Sequence, residues 1–199
     1  LHENRFVLSD IDPKARFRNY ESAFFWLYDS RIVNIAYNTF APTIGLVMNT
    51  ERSTLRCYLA DTGLLVSLAF GERGQMPVEV YERLLHDKLE SNMGMVMENI
   101  VAQMLIAAGH KLFFYNHIDR KDASNDMEID FLITKSIITS RKNICPIEVK
   151  SSTSFTITSL EKCMSKFNQS IGHAYVLHTG DVQLTDKITY LPLYMTGLL

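Results

Sequence analysis

The segment 144–150 constrains the fold most, because it ends in residues that alternate between apolar and charged with the period of a β-strand. Residues two apart on a strand share a face, so Glu148 and Lys150 are predicted to point one way. Ile147 and Val149 then pack into the core on the other side. A carboxylate and an ammonium are costly to bury unless they are paired or bind a metal. Taken alone, the pattern is most simply a surface ion pair on an edge strand.

Two further acids interrupt apolar segments elsewhere in the chain. The alternation of 128–134 predicts a strand with Ile129 and Phe131 on one face and Asp130 on the other. Glu98 lies inside a helical segment that otherwise has the composition of a buried helix. Each acid by itself is compatible with a solvated surface position. Three carboxylates and one lysine in four apolar contexts instead favour a shared site.

The order of predicted elements from residue 94 onward indicates a mixed α/β sandwich with a central sheet. The elements are a helix over 95–108 ended by Gly109, strands over 112–118, 128–134 and 144–150, a helix opened by the capping box of Thr158 and Glu161, a strand over 174–177, and a last edge element over 190–194. The core order is therefore helix, strand, strand, strand, helix, strand.

The chain divides into three predicted parts. Residues 1–70 follow the order helix, strand, turn and strand, which is compatible with a small winged-helix-like module. The alternative is that this segment is a packing appendage of the larger domain. Residues 71–93 are rich in Gly and Pro at their start and form a linker with a connecting helix, and residues 94–199 form the main domain.

Composition limits the classes of partner. The formal net charge of −2 gives no overall attraction to nucleic acid, so DNA binding requires a local basic patch or bound metal ions. Candidates for such a patch are interspersed with acids, so a solvated surface is the default interpretation; they are Arg16, Arg18, Arg52 and Arg56. Three cysteines without CxxC spacing, no leader and no membrane-length apolar run predict a cytoplasmic protein.

Carboxylates beside a lysine are suited to metal-dependent phosphate chemistry. Mg²⁺ takes oxygen ligands in octahedral geometry and keeps several waters, so two or three carboxylates are a fitting protein contribution, and Mn²⁺ is an alternative ion. A bound metal lowers the pKa of a coordinated water, and a nearby ammonium orients that water or neutralises charge on the phosphate. The expected cofactor is therefore Mg²⁺ or Mn²⁺.

The arrangement of Glu98, Asp130, Glu148 and Lys150 on a helix and on the second and third strands is similar to the pattern of the PD-(D/E)XK nuclease superfamily. The resemblance implies an α/β fold with a restriction-endonuclease-like αβββαβ core. It also implies Asp130 and Glu148 as direct metal ligands, Glu98 as an outer or water-mediated ligand, and Lys150 as the catalytic lysine. Ile129, where the superfamily pattern has proline, is a departure.

Four sequence blocks extend the resemblance to nearly the whole chain. They are DTGLL at 61–65, ENIVAQ at 98–103, EIDF at 128–131 and PIEVKS at 146–151. In this order they resemble the C-terminal domain of unknown function of AAA+-type ATPases of bacteria and archaea. We therefore expect an ATPase domain to precede Leu1, because the chain itself contains no Walker A motif. The resemblance assigns no role to Gln103 or Glu128.

Two functions follow from these expectations. The first is a Mg²⁺-dependent phosphodiesterase that acts on DNA. The second is a catalytically inactive module that keeps the fold and binds nucleic acid or protein for an ATPase. The sequence does not indicate an oligomeric state.

Overall fold

The computed structural model of this chain describes residues 16–70, 78, 82, 93–119, 121–135 and 142–199. The helices with described bounds are α1 (Phe17–Asp29), α2 (Thr62–Phe70), α3 (Met93–Ala107) and α4 (Thr158–Lys166). The strands are β1 (Val33–Thr39), β2 (Thr50–Leu59), β3 (Phe113–His117), β4 (Met127–Thr134), β5 (Ile144–Val149), β6 (Ala174–His178), β7 (Gln183–Leu184) and β8 (Ile188–Pro192). The predicted linker and connecting helix lie almost wholly outside the described residues.

The eight strands form one mixed sheet in the order β2-β1-β3-β4-β5-β6-β8-β7. Strands β3, β4 and β5 form an antiparallel meander. Strand β6 lies parallel to β5, and a parallel pair needs a crossover connection, which helix α4 provides. Strand β8 pairs parallel to β6, and β7 forms the outer edge. The element predicted near 190–194 corresponds to β8, which is not an edge strand because β7 lies outside it.

Helices cover both faces of the sheet. On one face, α3 contributes Val101 and Leu105 to a core with Phe131 and Ile147. On the other face, α4 contributes Leu160 and Cys163 to a second core with Ile129, Ile144 and Val176. The strands in the centre of the sheet are consequently apolar on both sides, as expected for strands covered by helices on both faces.

The predicted mixed α/β sandwich is confirmed, and its core order of helix, strand, strand, strand, helix and strand corresponds to α3, β3, β4, β5, α4 and β6. Gly109 ends α3 with a φ of 91°, a left-handed conformation that glycine adopts without a steric penalty. The predicted capping box is wrong. Ile157 is the N-cap of α4 and makes no side-chain capping bond, while Thr158 is already the first helical residue.

The N-terminal hairpin belongs to the same sheet. Strand β1 pairs with β2 on one side and, in parallel, with β3 on the other, where Tyr37 pairs with Phe113. The sheet therefore crosses the boundary predicted between residues 1–70 and 94–199. This continuity favours the interpretation of the segment as a packing appendage of the larger domain.

Within the described part of the chain, no helix has both the length and the apolar character needed to cross a bilayer. Cys57, Cys145 and Cys163 are all free thiols. Burial raises the pKa of the Cys57 and Cys163 thiols to about 12. These two cysteines therefore behave as unreactive, packed side chains.

Candidate active site

Glu148 and Lys150 lie at the C-terminal end of β5 and contact each other directly. Lys150 Nζ donates to Glu148 Oε1 over 2.7 Å, while Ile147 and Val149 pack on the opposite face with the core covered by α3. Glu148 is only 7% exposed. Its second oxygen, Oε2, is buried and has no hydrogen-bond partner among the described residues. Burial raises the pKa of Glu148, and the hydrogen bond and positive charge of Lys150 oppose this rise.

Asp130 lies on the neighbouring strand, next to the same end of β5. Phe131 of β4 pairs with Ile147 of β5 in the antiparallel register. Asp130 and Glu148 therefore lie one residue beyond this pair, on neighbouring strands. Val149 N donates to Asp130 Oδ2 over 2.8 Å. Desolvation raises the pKa of Asp130, whereas the Val149 hydrogen bond and the positive charge of Arg56 lower it.

A β-bulge in β4 sets the position of Asp130. Between Phe113 and Tyr115 on β3, the register on β4 moves from Leu132 to Ile129, which inserts one extra residue in β4. The predicted alternation is therefore wrong at this point. Phe131 packs in the core covered by α3, while Ile129 packs in the core covered by α4.

Arg56 is a site residue that sequence reasoning missed. Its side chain is only 12% exposed, forms an ion pair with Glu128, and places Nη1 4.0 Å from Asp130 Oδ1. It therefore takes no part in an exposed basic patch of the kind considered from the sequence. The signal that was available is an arginine between Leu55 and Cys57, in the half of β2 that is otherwise apolar.

Glu98 reaches the site from α3 and lies beside β2. Tyr58 Oη donates to Glu98 Oε2 over 3.5 Å, and the Tyr58 ring lies 5.3 Å from the ring of Phe131. Burial lowers the pKa of Arg56, but nearby acidic groups, Glu98 among them, raise it above its usual value. Glu98 thus belongs to a cluster around Arg56 and Tyr58.

The donor atoms at the ends of β4 and β5 meet some of the requirements of a divalent metal ion. In the described residues, no group of three His, Cys, Asp or Glu side chains is placed to hold a metal ion. Asp130 Oδ1 and Glu148 Oε2 are nevertheless carboxylate oxygens on adjacent strands, and the second is a buried acceptor in need of a partner. Two carboxylates with several waters fit the coordination of Mg²⁺, which retains water readily.

Other polar groups near the ends of the strands are explained by local contacts. His178 is buried and its ring nitrogens contact Gly180 N and Asp181 O in the following turn. In the segment after Lys150, Ser152 Oγ donates to the carbonyl of Ser154. This segment is therefore a locally hydrogen-bonded loop.

A family model describes just over half of this chain. The model for a domain of unknown function, DUF4143, matches residues 93–195. The chain belongs to the DUF4143 family. No curated protein and no solved structure matches it. The matched region contains Glu98, Asp130, Glu148 and Lys150, whereas Arg56 and Tyr58 come from the segment before it.

Two of the sequence blocks join the DUF4143 region to helix α2. Asn99 is 2% exposed, and its side chain bonds both the N–H and the C=O of Leu59 and the hydroxyl of Thr62. Gln103 Oε1, one turn later, accepts from the backbone N–H and the hydroxyl of Thr62.

The start of α2 is capped from within the same block. Asp61 Oδ1 accepts from Leu64 N over 2.8 Å, which is the hydrogen bond of an N-cap side chain. A Cβ at Gly63 would lie 2.9 Å from that same oxygen, so glycine leaves room for the cap. The role of the two blocks is structural: they hold α3 against the end of β2 and the start of α2.

Proposed function

We propose that the DUF4143 region is a PD-(D/E)XK nuclease-like domain that hydrolyses phosphodiester bonds in DNA with Mg²⁺ or Mn²⁺. The observation that carries the proposal is the buried, unpartnered Oε2 of Glu148, which lies beside Lys150 and next to the position of Asp130. The order α3, β3, β4, β5, α4 and β6 supports it, because this is the order of the superfamily core.

The wider setting is part of the same proposal. The sequence blocks support a place in the C-terminal part of an AAA+-type ATPase, with the ATPase domain before Leu1. The unpaired state of all three cysteines supports a reducing compartment such as the cytoplasm.

Asp130 and Glu148 are the residues that would hold the ion, through Oδ1 and Oε2. When bound, the ion supplies a water of lowered pKa and a positive charge for the phosphate. Lys150 is held by Glu148 at 2.7 Å, so its ammonium is fixed beside these oxygens. There it orients a water for attack on phosphorus and neutralises charge on the phosphate as the P–O ester bond breaks.

A cleft at the same edge of the sheet supports a phosphodiester substrate. His117 ends β3, Met127 begins β4, and both line a cleft of about 530 Å³ together with Lys162 and Lys166 of α4. In the antiparallel meander, the end of β3, the start of β4 and the end of β5 lie at one edge. The lysines supply a local basic surface, which the net charge of −2 does not provide overall.

A cleavage assay tests the proposal. The chain is incubated with linear, nicked and branched DNA in Mg²⁺ or Mn²⁺, and Lys150→Ala is compared with Lys187→Ala, a matched change at an exposed lysine. We expect K150A to lower the cleavage rate by about 100-fold or more, the scale on which positioned acid–base groups act, and K187A to leave it unchanged. No cleavage by the wild type, or equal cleavage by K150A, contradicts the proposal.

A second candidate function is a catalytically inactive module that binds nucleic acid or protein for an ATPase. The observation in its favour is Arg56, which already supplies a positive charge 4.0 Å from Asp130 Oδ1. A module of this kind binds DNA in a fluorescence anisotropy titration without cutting it. Its DNA affinity is then the same with and without Lys150→Ala in the presence of EDTA, since Lys150 faces Glu148.

A further inference from the structure

The position of Arg56 connects the N-terminal hairpin to the carboxylates of the DUF4143 region. Arg56 lies inside β2, where it pairs with Ala36 of β1. In the sequence it precedes residues 93–195, which the family model matches. Its guanidinium pairs with Glu128 and reaches Asp130, both on β4. The N-terminal hairpin thus places a permanent positive charge in a site whose acids belong to the family domain.

The guanidinium is held in place by aromatic contacts as well as by charge. Its central carbon lies 4.4 Å from the centroid of the Phe114 ring, within the range of a cation–π interaction. Burial raises the pKa of Tyr58, and the positive charge of the nearby Arg56 opposes this rise. A side chain that is 12% exposed and packed in this way is a fixed part of the site and not a mobile surface group.

The two oxygens of Asp130 have different partners. Oδ2 accepts the hydrogen bond from Val149 N at 2.8 Å, whereas Oδ1 is the oxygen that Arg56 approaches at 4.0 Å. Oδ1 is therefore the atom that Asp130 can offer to a metal ion. The 4.0 Å between Nη1 and Oδ1 is longer than a hydrogen bond, so a metal ion can bind Oδ1 from another side while Arg56 stays beside it.

We propose that Arg56 and a divalent metal ion compete for Oδ1 of Asp130, so that the N-terminal hairpin lowers the metal affinity of the DUF4143 site. The inference rests on the proposed function, because it takes Asp130 as a metal ligand. Two cations within a few ångströms of one carboxylate repel each other, and the binding of one weakens that of the other. Glu128 retains Arg56 when the ion is bound, because their ion pair does not involve Asp130.

Calorimetric titration with MnCl₂, in the absence of DNA, tests the competition. We expect Arg56→Gln to bind Mn²⁺ about tenfold more tightly than the wild type, because it removes one unit charge from beside the carboxylate. Arg52→Gln is the matched control, since it removes the same charge from an exposed position on the same strand, and its affinity stays that of the wild type. Asp130→Asn abolishes Mn²⁺ binding in both the wild-type and the R56Q backgrounds.

A second variant guards against a folding defect. Arg56→Met also removes the charge but keeps an apolar side chain over Phe114, so it carries the same tenfold expectation if R56Q fails to fold. Circular dichroism of each variant, recorded first, shows that its fold is intact. Arg56→Lys retains the charge, and its Mn²⁺ affinity is expected to stay within about threefold of the wild type.

The outcomes separate this inference from the nuclease proposal. Equal Mn²⁺ affinity of the wild type and a folded charge-removing variant overturns the competition, even if the wild type cuts DNA. Tighter binding by R56Q supports the competition, even if no variant cuts DNA and the nuclease proposal fails. If neither the wild type nor R56Q binds Mn²⁺, the competition is overturned together with the assignment of Asp130 as a ligand.

Discussion

The buried side chain of Asn99 holds three structural elements together, and its loss is expected to destabilise the chain strongly. It bonds Leu59 N at 2.8 Å, Leu59 O at 3.0 Å and Thr62 Oγ1 at 3.0 Å. Asn99→Ala removes all three hydrogen bonds. It also leaves the half-buried peptide groups of Leu59, at the end of β2, without these partners.

The magnitude follows from the number of bonds. At about 1 kcal/mol for each hydrogen bond, N99A is expected to lower the free energy of unfolding by about 3 kcal/mol. For a chain of this size, a loss of that amount lowers Tm by roughly 6–12 °C. Gln103 retains its two contacts with Thr62 in the variant, so α2 remains attached to α3 by its first turn.

Urea denaturation followed by circular dichroism measures this loss. Asn125→Ala is the matched control, because Asn125 is exposed and donates one side-chain hydrogen bond, to Asp119. We expect N125A to change the free energy of unfolding by less than about 0.5 kcal/mol, as for most surface substitutions. If N99A loses no more stability than N125A, the network around Leu59 does not hold these elements together.

Two further predictions concern stability. Because burial raises the pKa of Glu148 above its ordinary value of 4.5, the folded chain retains this proton longer than the unfolded chain, and stability falls as the pH rises from 4.5 towards the raised value. Glu148→Gln cannot ionise, so its stability relative to the wild type should increase across this range in urea titrations; a constant difference contradicts the assigned shift. Gly109→Ala is expected to lower the free energy of unfolding by about 1 kcal/mol, because the φ of 91° disfavours a residue with a side chain. Gly109→Asn is expected to lower it by less, because the side chain of Asn can hydrogen-bond locally in this conformation. Equal Tm values for G109A and the wild type would exclude strain at this turn.

The elements that carry the candidate site were predictable because their signals are local. The alternation of Ile147, Glu148, Val149 and Lys150 requires only the geometry of a strand, and the structure places Lys150 against Glu148 accordingly. Gly109 was predictable as a helix end for the same reason, since a left-handed residue at C′ is a short-range feature.

The features that sequence reasoning missed depend on contacts between distant parts of the chain. Arg56 and Glu128 are 72 positions apart, so nothing near Arg56 identifies its partner. The bulge at Asp130 and Phe131 depends on the register of β4 against β3, which a single strand does not reveal. Thr158 resembles an N-cap in sequence. In the structure the helix already begins at Thr158, and Ile157 occupies the N-cap position.

The parallel pairing of β1 with β3 has a consequence for synthesis. Tyr37 of β1 pairs with Phe113 of β3, 76 positions later in the chain. At roughly 5–20 residues per second, the hairpin of β1 and β2 is complete for some seconds before that partner is made. During this interval the open edge of β1 presents unpaired N–H and C=O groups to any other strand. During synthesis, a chaperone or a second nascent copy can therefore bind the edge of β1 that later pairs with β3.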